Sequence, residues 1–141
     1  MYKKTIKYVD YNGTERIEDF YFNLNRAELL EDELRSPGIY TTKLEEIIKA
    51  KDVSKLVILF KDFITRSYGR KSADGRRFEK SQEILDEFIQ TEAYNQLFME
   101  LATNTDSAIE FINGIMPELT PEQKAEATAQ SNKLMSEIGL A

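Results

Sequence analysis

The sequence predicts an α+β fold in which an N-terminal β-hairpin precedes a mostly α-helical body. Apolar and polar residues alternate at the start of the chain and again around residue 22, which is typical of strands with one buried face. From residue 25 onward the apolar residues recur at spacings of three and four, as they do on one face of an α-helix. We expect residues 1–117 to form a single compact domain, with the hairpin over 2–24 and the helical body over 25–117, followed by a C-terminal helix or flexible tail over 118–141.

Asn12-Gly13 marks the hairpin turn, and the positions of the apolar residues select its length. A two-residue loop would place the apolar residues of the two strands on opposite faces. A three-residue loop, in which Asp10 pairs with Thr14 and Gly13 takes a positive φ, places them on one face. We favour the three-residue loop, and because a lone hairpin is marginal in water we expect its apolar face to pack on the helices or on another subunit. The residues that would share this face are Tyr2, Ile6, Tyr8, Phe20, Phe22 and Leu24.

Capping residues predict where the helices begin. Asn25 is placed to cap the first helix, and Glu28, three residues further on, would complete a capping box. Thr41 or Thr42 begins the second helix. Three short amphipathic helices are predicted in the last part of the compact region. Their candidate N-caps include Thr91 and either Thr105 or Asp106.

A very apolar helix from about Val53 to Tyr68 is predicted to be the most buried element of the fold. Apolar side chains occupy well over half of its circumference, which indicates burial on several sides. Asp52 is placed to cap its start, and Gly69 is a natural C-cap for its end. A basic loop is expected to follow, with turn chemistry at Asp74-Gly75.

The composition excludes several kinds of chemistry. The chain has no cysteine and no histidine, so disulfides, thiolate metal sites, histidine bases and the common catalytic triads are excluded. The densest acidic cluster, Glu31-Asp32-Glu33, is interpreted as a solvated helix face, because adjacent helical residues point in different directions. We therefore expect no enzymatic activity, no metal site and no organic cofactor. The longest apolar run, Leu56 to Phe60, is too short to span a bilayer, so we expect no membrane partner and a cytoplasmic location.

Charge is distributed unevenly along the chain, whose formal net charge is −6. Residues 53–80 carry 8 basic and 3 acidic residues, whereas residues 81–141 carry 2 basic and 11 acidic ones. Such polarity steers association, so the basic group is a candidate surface for a protein partner or for the acidic part of a second copy. The alternatives are a solvated loop and a nucleic-acid site, and the acidic net charge opposes the latter. The candidate residues are Arg66, Arg70, Lys71, Arg76, Arg77 and Lys80, with Tyr68 and Phe78 as aromatic neighbours.

A series of spaced features runs through the second half of the compact region. They are Ser67-Tyr68-Gly69, Ser72 with Asp74-Gly75, Phe78 with Lys80-Ser81, Phe88, Thr91-Glu92-Ala93-Tyr94, Leu97-Phe98-Met99-Glu100-Leu101, and Phe111-Ile112-Asn113-Gly114-Ile115 with Pro117. The opening adds a lysine-rich strand, Tyr11-Asn12-Gly13, and Phe20-Tyr21-Phe22-Asn23-Leu24 entering a helix at Arg26-Ala27-Glu28. Together these features resemble the tail assembly chaperones of long-tailed bacteriophages over residues 3–117, and the region beyond Pro117 shows no evident match.

The resemblance implies a non-enzymatic assembly factor of the host cell cytoplasm that is absent from the finished virion. Such proteins are encoded beside the tape-measure gene, bind the tape-measure protein, keep it soluble and help to recruit tail tube subunits. It further implies that this chain is the short form of a protein that many phages also make in a longer, frameshifted form, and that copies of it self-associate. The alternative function is that of a small regulatory or adaptor protein that binds nucleic acid through the basic loop 66–80.

Overall fold

The structure, a computed structural model, describes residues 1–117, so the prediction of a helix or tail over 118–141 lies outside the described residues. A β-hairpin leads into a mostly helical body, which confirms the predicted α+β class. The strands are β1 (Tyr2–Val9), β2 (Glu15–Phe22), β3 (Tyr68–Lys71) and β4 (Phe78–Glu79). The helices are α1 (Arg26–Arg35), α2 (Thr42–Ala50), α3 (Val53–Ser67), α4 (Gln82–Ile89), α5 (Glu92–Thr103) and α6 (Thr105–Ile115).

The β1–β2 turn is the predicted three-residue loop. The backbone N–H of Asp10 donates to the carbonyl of Thr14 at 2.9 Å, and Gly13 has a φ of 80°. The resulting register pairs Tyr2 with Phe22, so the apolar residues of both strands share one face. That face packs on α5 and α6, where the ring of Tyr2 meets Phe111 edge-on at 5.5 Å between centroids.

The sheet has four strands in the order β1-β2-β3-β4, and the last two were not predicted. Helix α3 runs directly into β3, and Gly69 pairs with Tyr21 of β2. The prediction that Gly69 is a helix C-cap is therefore wrong. Its small size serves packing instead, because a Cβ at this position would lie 2.5 Å from Cε2 of Phe78 on β4. The predicted turn at Asp74-Gly75 connects β3 to β4, with Gly75 at a φ of 74°.

Four of the predicted capping residues act as caps. Asn25 and Glu28 form a capping box, with reciprocal hydrogen bonds of 2.8 and 3.1 Å between side chain and backbone. The side chains of Asp52 and Thr91 accept hydrogen bonds at the starts of α3 and α5. Helix α6 is capped by Asn104, not by Thr105 or Asp106, because a short linker lets α6 begin directly after α5.

The core lies between the apolar face of the hairpin, the second half of α3 and the last three helices. Phe22 is fully buried at its centre, with the rings of Phe88 and Phe111 at centroid distances of 5.8 and 5.3 Å. Aromatic rings at such distances add directional stabilisation to the apolar area that they bury. The other fully buried apolar residues are Leu24, Phe63, Ile64, Leu97 and Ile115, together with Ala93.

Helix α3 is buried only in its second half, which corrects the prediction that it is the most buried element. Phe60, Phe63 and Ile64 belong to the core, whereas Val53 and Ile58 are 69% and 60% exposed. Helix α2 packs against α3, but an open groove also runs along α3, and Ile58 lines it whereas Val53 does not. Apolar side chains around the whole helix therefore face two different surroundings.

Candidate functional site

The predicted basic residues fall into two groups in the structure. Arg70, Lys71, Arg76 and Arg77 are exposed on the β3–β4 hairpin. Arg70 lies 4.0 Å from Glu87, and Arg77 lies 3.9 Å from Glu79. Ion pairs this exposed contribute about 0–1 kcal/mol, so these cations remain available to a partner.

Lys80, in contrast, is held inside the fold. Its Nζ donates to the carbonyls of Asn23 and Arg66 at 2.7 and 2.9 Å and to both carboxylate oxygens of Glu28 at 2.8 and 2.7 Å. Burial lowers the pKa of this ammonium group, while the Glu28 carboxylate opposes the shift. Lys80 thus joins the end of β2, the first turn of α1 and the end of α3, and it has a structural role.

Arg66 is also engaged within the chain, by the central carboxylate of the Glu31-Asp32-Glu33 cluster. Its Nη2 donates to Asp32, which also accepts from the hydroxyl of Tyr40 at 2.5 Å and from Arg35 at 2.6 Å. Asp32 is only 5% exposed, so the prediction of a solvated Glu31-Asp32-Glu33 face is wrong for its central residue. Burial, and then the hydrogen bond to Asp32, raise the pKa of the Tyr40 hydroxyl. This buried network links α1, the α1–α2 loop and α3, and within residues 1–117 it leaves the buried Nε of Arg66 without a hydrogen-bond partner.

Neither predicted aromatic residue is a free stacking surface. Tyr68 is half-buried and stacks on Phe88, with ring centroids 4.1 Å apart and planes 15° apart. Phe78 is half-buried over Gly69, and the Nζ of Lys80 lies 5.8 Å from the centre of its ring. Both rings therefore support the β3–β4 hairpin that displays the exposed cations.

An open groove lies beside Arg66 and Asp32, between α1, α2 and α3. This α1–α3 groove has a volume of about 800 Å³, an apolar floor and charged side chains along its rim. One signal of it in the sequence is the excess of apolar residues on α3, which predicts burial on several sides. The apolar residues of the floor are Ile39, Tyr40, Ile47, Ile58, Leu59 and Phe63.

The groove also contains polar side chains. Its buried carboxylate, Asp32, is paired with two arginines, and its lining carries the hydroxyl groups of Ser36, Tyr40 and Thr65. Among residues 1–117, no three or more acidic side chains lie close enough together to hold a metal ion. Within the same part of the chain, no helix combines the length and the apolar character needed to cross a bilayer.

Comparison with known proteins agrees with the resemblance seen in the sequence. The family model described as phage tail assembly chaperone matches residues 1–139, which extends the likeness past Pro117, where the sequence features gave no evident match. No curated protein and no solved structure matches the chain. Because the matched span covers nearly all of the 141 residues, the chain belongs to the phage tail assembly chaperone family.

Proposed function

We propose that this chain binds helical segments of the tape-measure protein, keeps that protein soluble in the host cytoplasm and helps to recruit tail tube subunits. Family membership supports a role in tail assembly, and the α1–α3 groove supports the binding of a helix. The groove is the observation that carries the proposal. It is an apolar surface left open by residues 1–117, which otherwise bury an aromatic core.

The dimensions of the groove suit an amphipathic helix. Along α3 it extends from Asp52 to Arg66, which corresponds to about 21 Å of helix, or about four turns. An apolar stripe with anchors at spacings of three and four would face the floor, as in other helix-in-groove complexes. The charged rim would then meet the polar flanks of the same helix.

The floor offers few exposed anchors, which favours reversible binding. Ile58 is 60% exposed in the free chain, while Leu59 and Phe63 are already buried. Covering the exposed part of this isoleucine side chain contributes about 1–2 kcal/mol before the entropic cost of association is subtracted. A chaperone that must release its client during assembly needs binding of this moderate strength.

Self-association is the second part of the proposal. The exposed cations of the β3–β4 hairpin face outward, and residues 81–117 contain 7 acidic residues and no lysine or arginine. The hairpin of one copy would therefore contact the α4–α6 region of the next, and copies would line up along the tape measure. Sedimentation at low and high salt tests this, with a variant carrying Arg70→Glu, Arg76→Glu and Arg77→Glu. Wild type that stays monomeric at high concentration and low salt would rule out self-association.

Co-expression with the tape-measure protein tests the main proposal. Wild type is expected to keep the tape measure in the soluble fraction, and Ile58→Glu is expected to abolish this by placing a charge on the groove floor. Val53→Glu is the matched control, since Val53 lies on the same helix, is 69% exposed and does not line the groove. A tape measure that stays insoluble with wild type would refute the function. If both variants keep the tape-measure protein as soluble as wild type does, the proposed function would hold, but its binding site would lie outside the groove.

A further inference from the structure

The described part of the chain ends close to the α1–α3 groove. Helix α6 finishes at Ile115, whose carbonyl accepts a hydrogen bond from the backbone N–H of Leu24 at 2.8 Å. The preceding residue, Asn23, donates to the carbonyl of Ser67 at the end of α3, also at 2.8 Å. Two such backbone spacings of about 5 Å place the end of α6 about 10 Å from the end of α3. Arg66, the neighbour of Ser67, lines the groove, so the chain leaves α6 near one end of it.

The sequence that follows has the pattern of an amphipathic helix. Within residues 118–141, Thr120-Pro121 is a helix-start signal, because proline is favoured at the first helical position after a capping residue. Leu134 and Met135 lie four and three residues before Ile138, so the three side chains would share one face of a helix. The family model extends to residue 139, so this stretch lies within the matched region.

We propose that residues 118–141 dock in the α1–α3 groove of their own chain, with Leu134, Met135 and Ile138 against its apolar floor. The segment enters the groove at the Arg66 end and runs antiparallel to α3. The docking is a property of this chain alone and does not depend on the tape-measure protein.

The length of the segment brings its apolar face to the exposed part of the floor. At 1.5 Å per residue, about seven helical residues cover the 10 Å between the ends of α6 and α3. A helix that starts at Pro121 therefore reaches the groove near residue 128. Its apolar residues, 134–138, lie six to ten positions further on. They are then level with Ile58, which precedes Arg66 on α3 by eight positions.

The floor at this level needs apolar cover. Ile58 is 60% exposed among the described residues, and Ile39 and Ile47, which line the same groove, are only partly buried. A face of leucine, methionine and isoleucine matches such a floor, since helix-in-groove contacts are made by apolar anchors at spacings of three and four. An intrachain segment also binds at high effective concentration, so a small apolar contact is sufficient to hold it.

Docking would make the segment an internal competitor of the client helix, and this consequence rests on the proposed function. The groove would be covered by residues 118–141 until a tape-measure helix displaces them. The apparent affinity for the client would then be lower than the affinity of the open groove, by the fraction of chains in which the groove is open.

Paramagnetic relaxation in the full chain tests the docking. The chain has no cysteine, so Ser136→Cys provides a single attachment site for a nitroxide, on the helix face opposite to Leu134 and Ile138. The methyl signals of the groove isoleucines, Ile39, Ile47 and Ile58, should lose most of their intensity. The signal of Ile17, near the β1–β2 turn, should stay sharp. Sharp signals from all three groove isoleucines would overturn the inference.

Two double variants of the spin-labelled chain provide a matched comparison. Leu134→Glu with Ile138→Glu should restore the groove signals, because it places two charges on the apolar face. Ala125→Glu with Ala129→Glu adds the same charge at the same spacing on the opposite face, so it should leave the signals broadened. Equal broadening in the two variants would overturn the inference.

A mixed sample distinguishes docking within one chain from docking on a second copy. Spin-labelled chain at natural isotopic abundance would be mixed with isotope-labelled chain that carries no nitroxide, at high salt to weaken charged contacts between copies. The groove signals should stay sharp. Broadening in this sample would show that the segment docks on another copy and would overturn the intrachain assignment.

Peptide binding tests the competition. The Leu134→Glu, Ile138→Glu variant should bind helical tape-measure peptides more tightly than the Ala125→Glu, Ala129→Glu variant, because its groove is open. Equal affinities of the two variants would overturn the competition. The relaxation measurements contain no tape-measure protein, so their failure would leave the proposed function to the co-expression test.

Discussion

The first half of α3 is the more apolar of its two halves, yet the second half is the more buried. Phe60 and Ile64 in the second half are 5% and 0% exposed and complete the core, while Val53 and Ile58 in the first half are largely exposed. The second half is needed to fold the chain. Both halves line the α1–α3 groove, but Ile58 in the first half is its one large apolar side chain that the described part of the chain leaves exposed. Apolar content therefore predicts that a side chain will be buried, but it does not predict whether its own chain or a partner will bury it.

The largest expected difference between the halves is in stability. Phe60→Ala should lower the free energy of unfolding by about 3–5 kcal/mol, because it removes a buried aromatic ring and leaves a cavity. Ile58→Ala should cost less than about 1 kcal/mol, since its side chain is 60% exposed. Urea denaturation followed by circular dichroism measures both. Similar losses for the two variants would remove the distinction between the halves.

The polar network at the end of the groove is expected to contribute next. Asp32→Ala should cost about 3 kcal/mol, because it leaves Arg66 and Tyr40 without their shared acceptor. The value is at the lower end of the range for buried ion pairs, since Arg35 and Arg66 keep some access to solvent. Glu31→Ala is the matched control and should cost less than about 0.5 kcal/mol, because its side chain is 70% exposed. Equal losses of stability for the two substitutions would mean that Asp32 is not the shared acceptor that holds this network together.

The smallest effect is expected at the β1–β2 turn, away from both halves of α3. Gly13→Ala should cost about 1 kcal/mol, because its φ of 80° is unfavourable for a residue with a Cβ. Steric clash does not contribute to this cost, since a Cβ at position 13 would have no atom within 4 Å. Asn12→Asp, one residue earlier, should change the unfolding midpoint very little. A midpoint for Gly13→Ala equal to that of wild type would contradict the assigned turn geometry.

Local sequence signals were sufficient to predict the α+β fold class and much of the order of the helices and strands. The turn residues, the parity of the apolar positions and the Asn25–Glu28 capping box each act within a few residues, so the sequence displays them directly. Strands β3 and β4 escaped prediction because four and two residues are too few to show alternation. The role of Gly69 depends on Phe78, nine positions further on, which no local rule connects to it.

The candidate site was only partly predictable, for a related reason. The exposed cations of the β3–β4 hairpin appear in the sequence as a basic run. The same run contains Arg66 and Lys80, whose side chains donate hydrogen bonds within the fold. Their partners, Asp32 and Glu28, lie 34 and 52 positions away along the chain. The groove itself is formed by three helices that meet only in the folded chain. Patterns of charge and hydropathy identified its residues as apolar or charged without revealing that they surround one cavity.

Isoleucine methyl NMR tests most directly the central claim that the α1–α3 groove binds a tape-measure helix. The chain would be labelled at its isoleucine methyl groups and titrated with peptides covering the helical segments of the tape-measure protein. We expect the signals of Ile39, Ile47 and Ile58, which line the groove, to shift with a common binding curve. The signals of Ile17 and Ile109, which are 68% and 48% exposed elsewhere on the surface, should stay in place. Shifts at Ile17 or Ile109 with none at the groove would contradict the account.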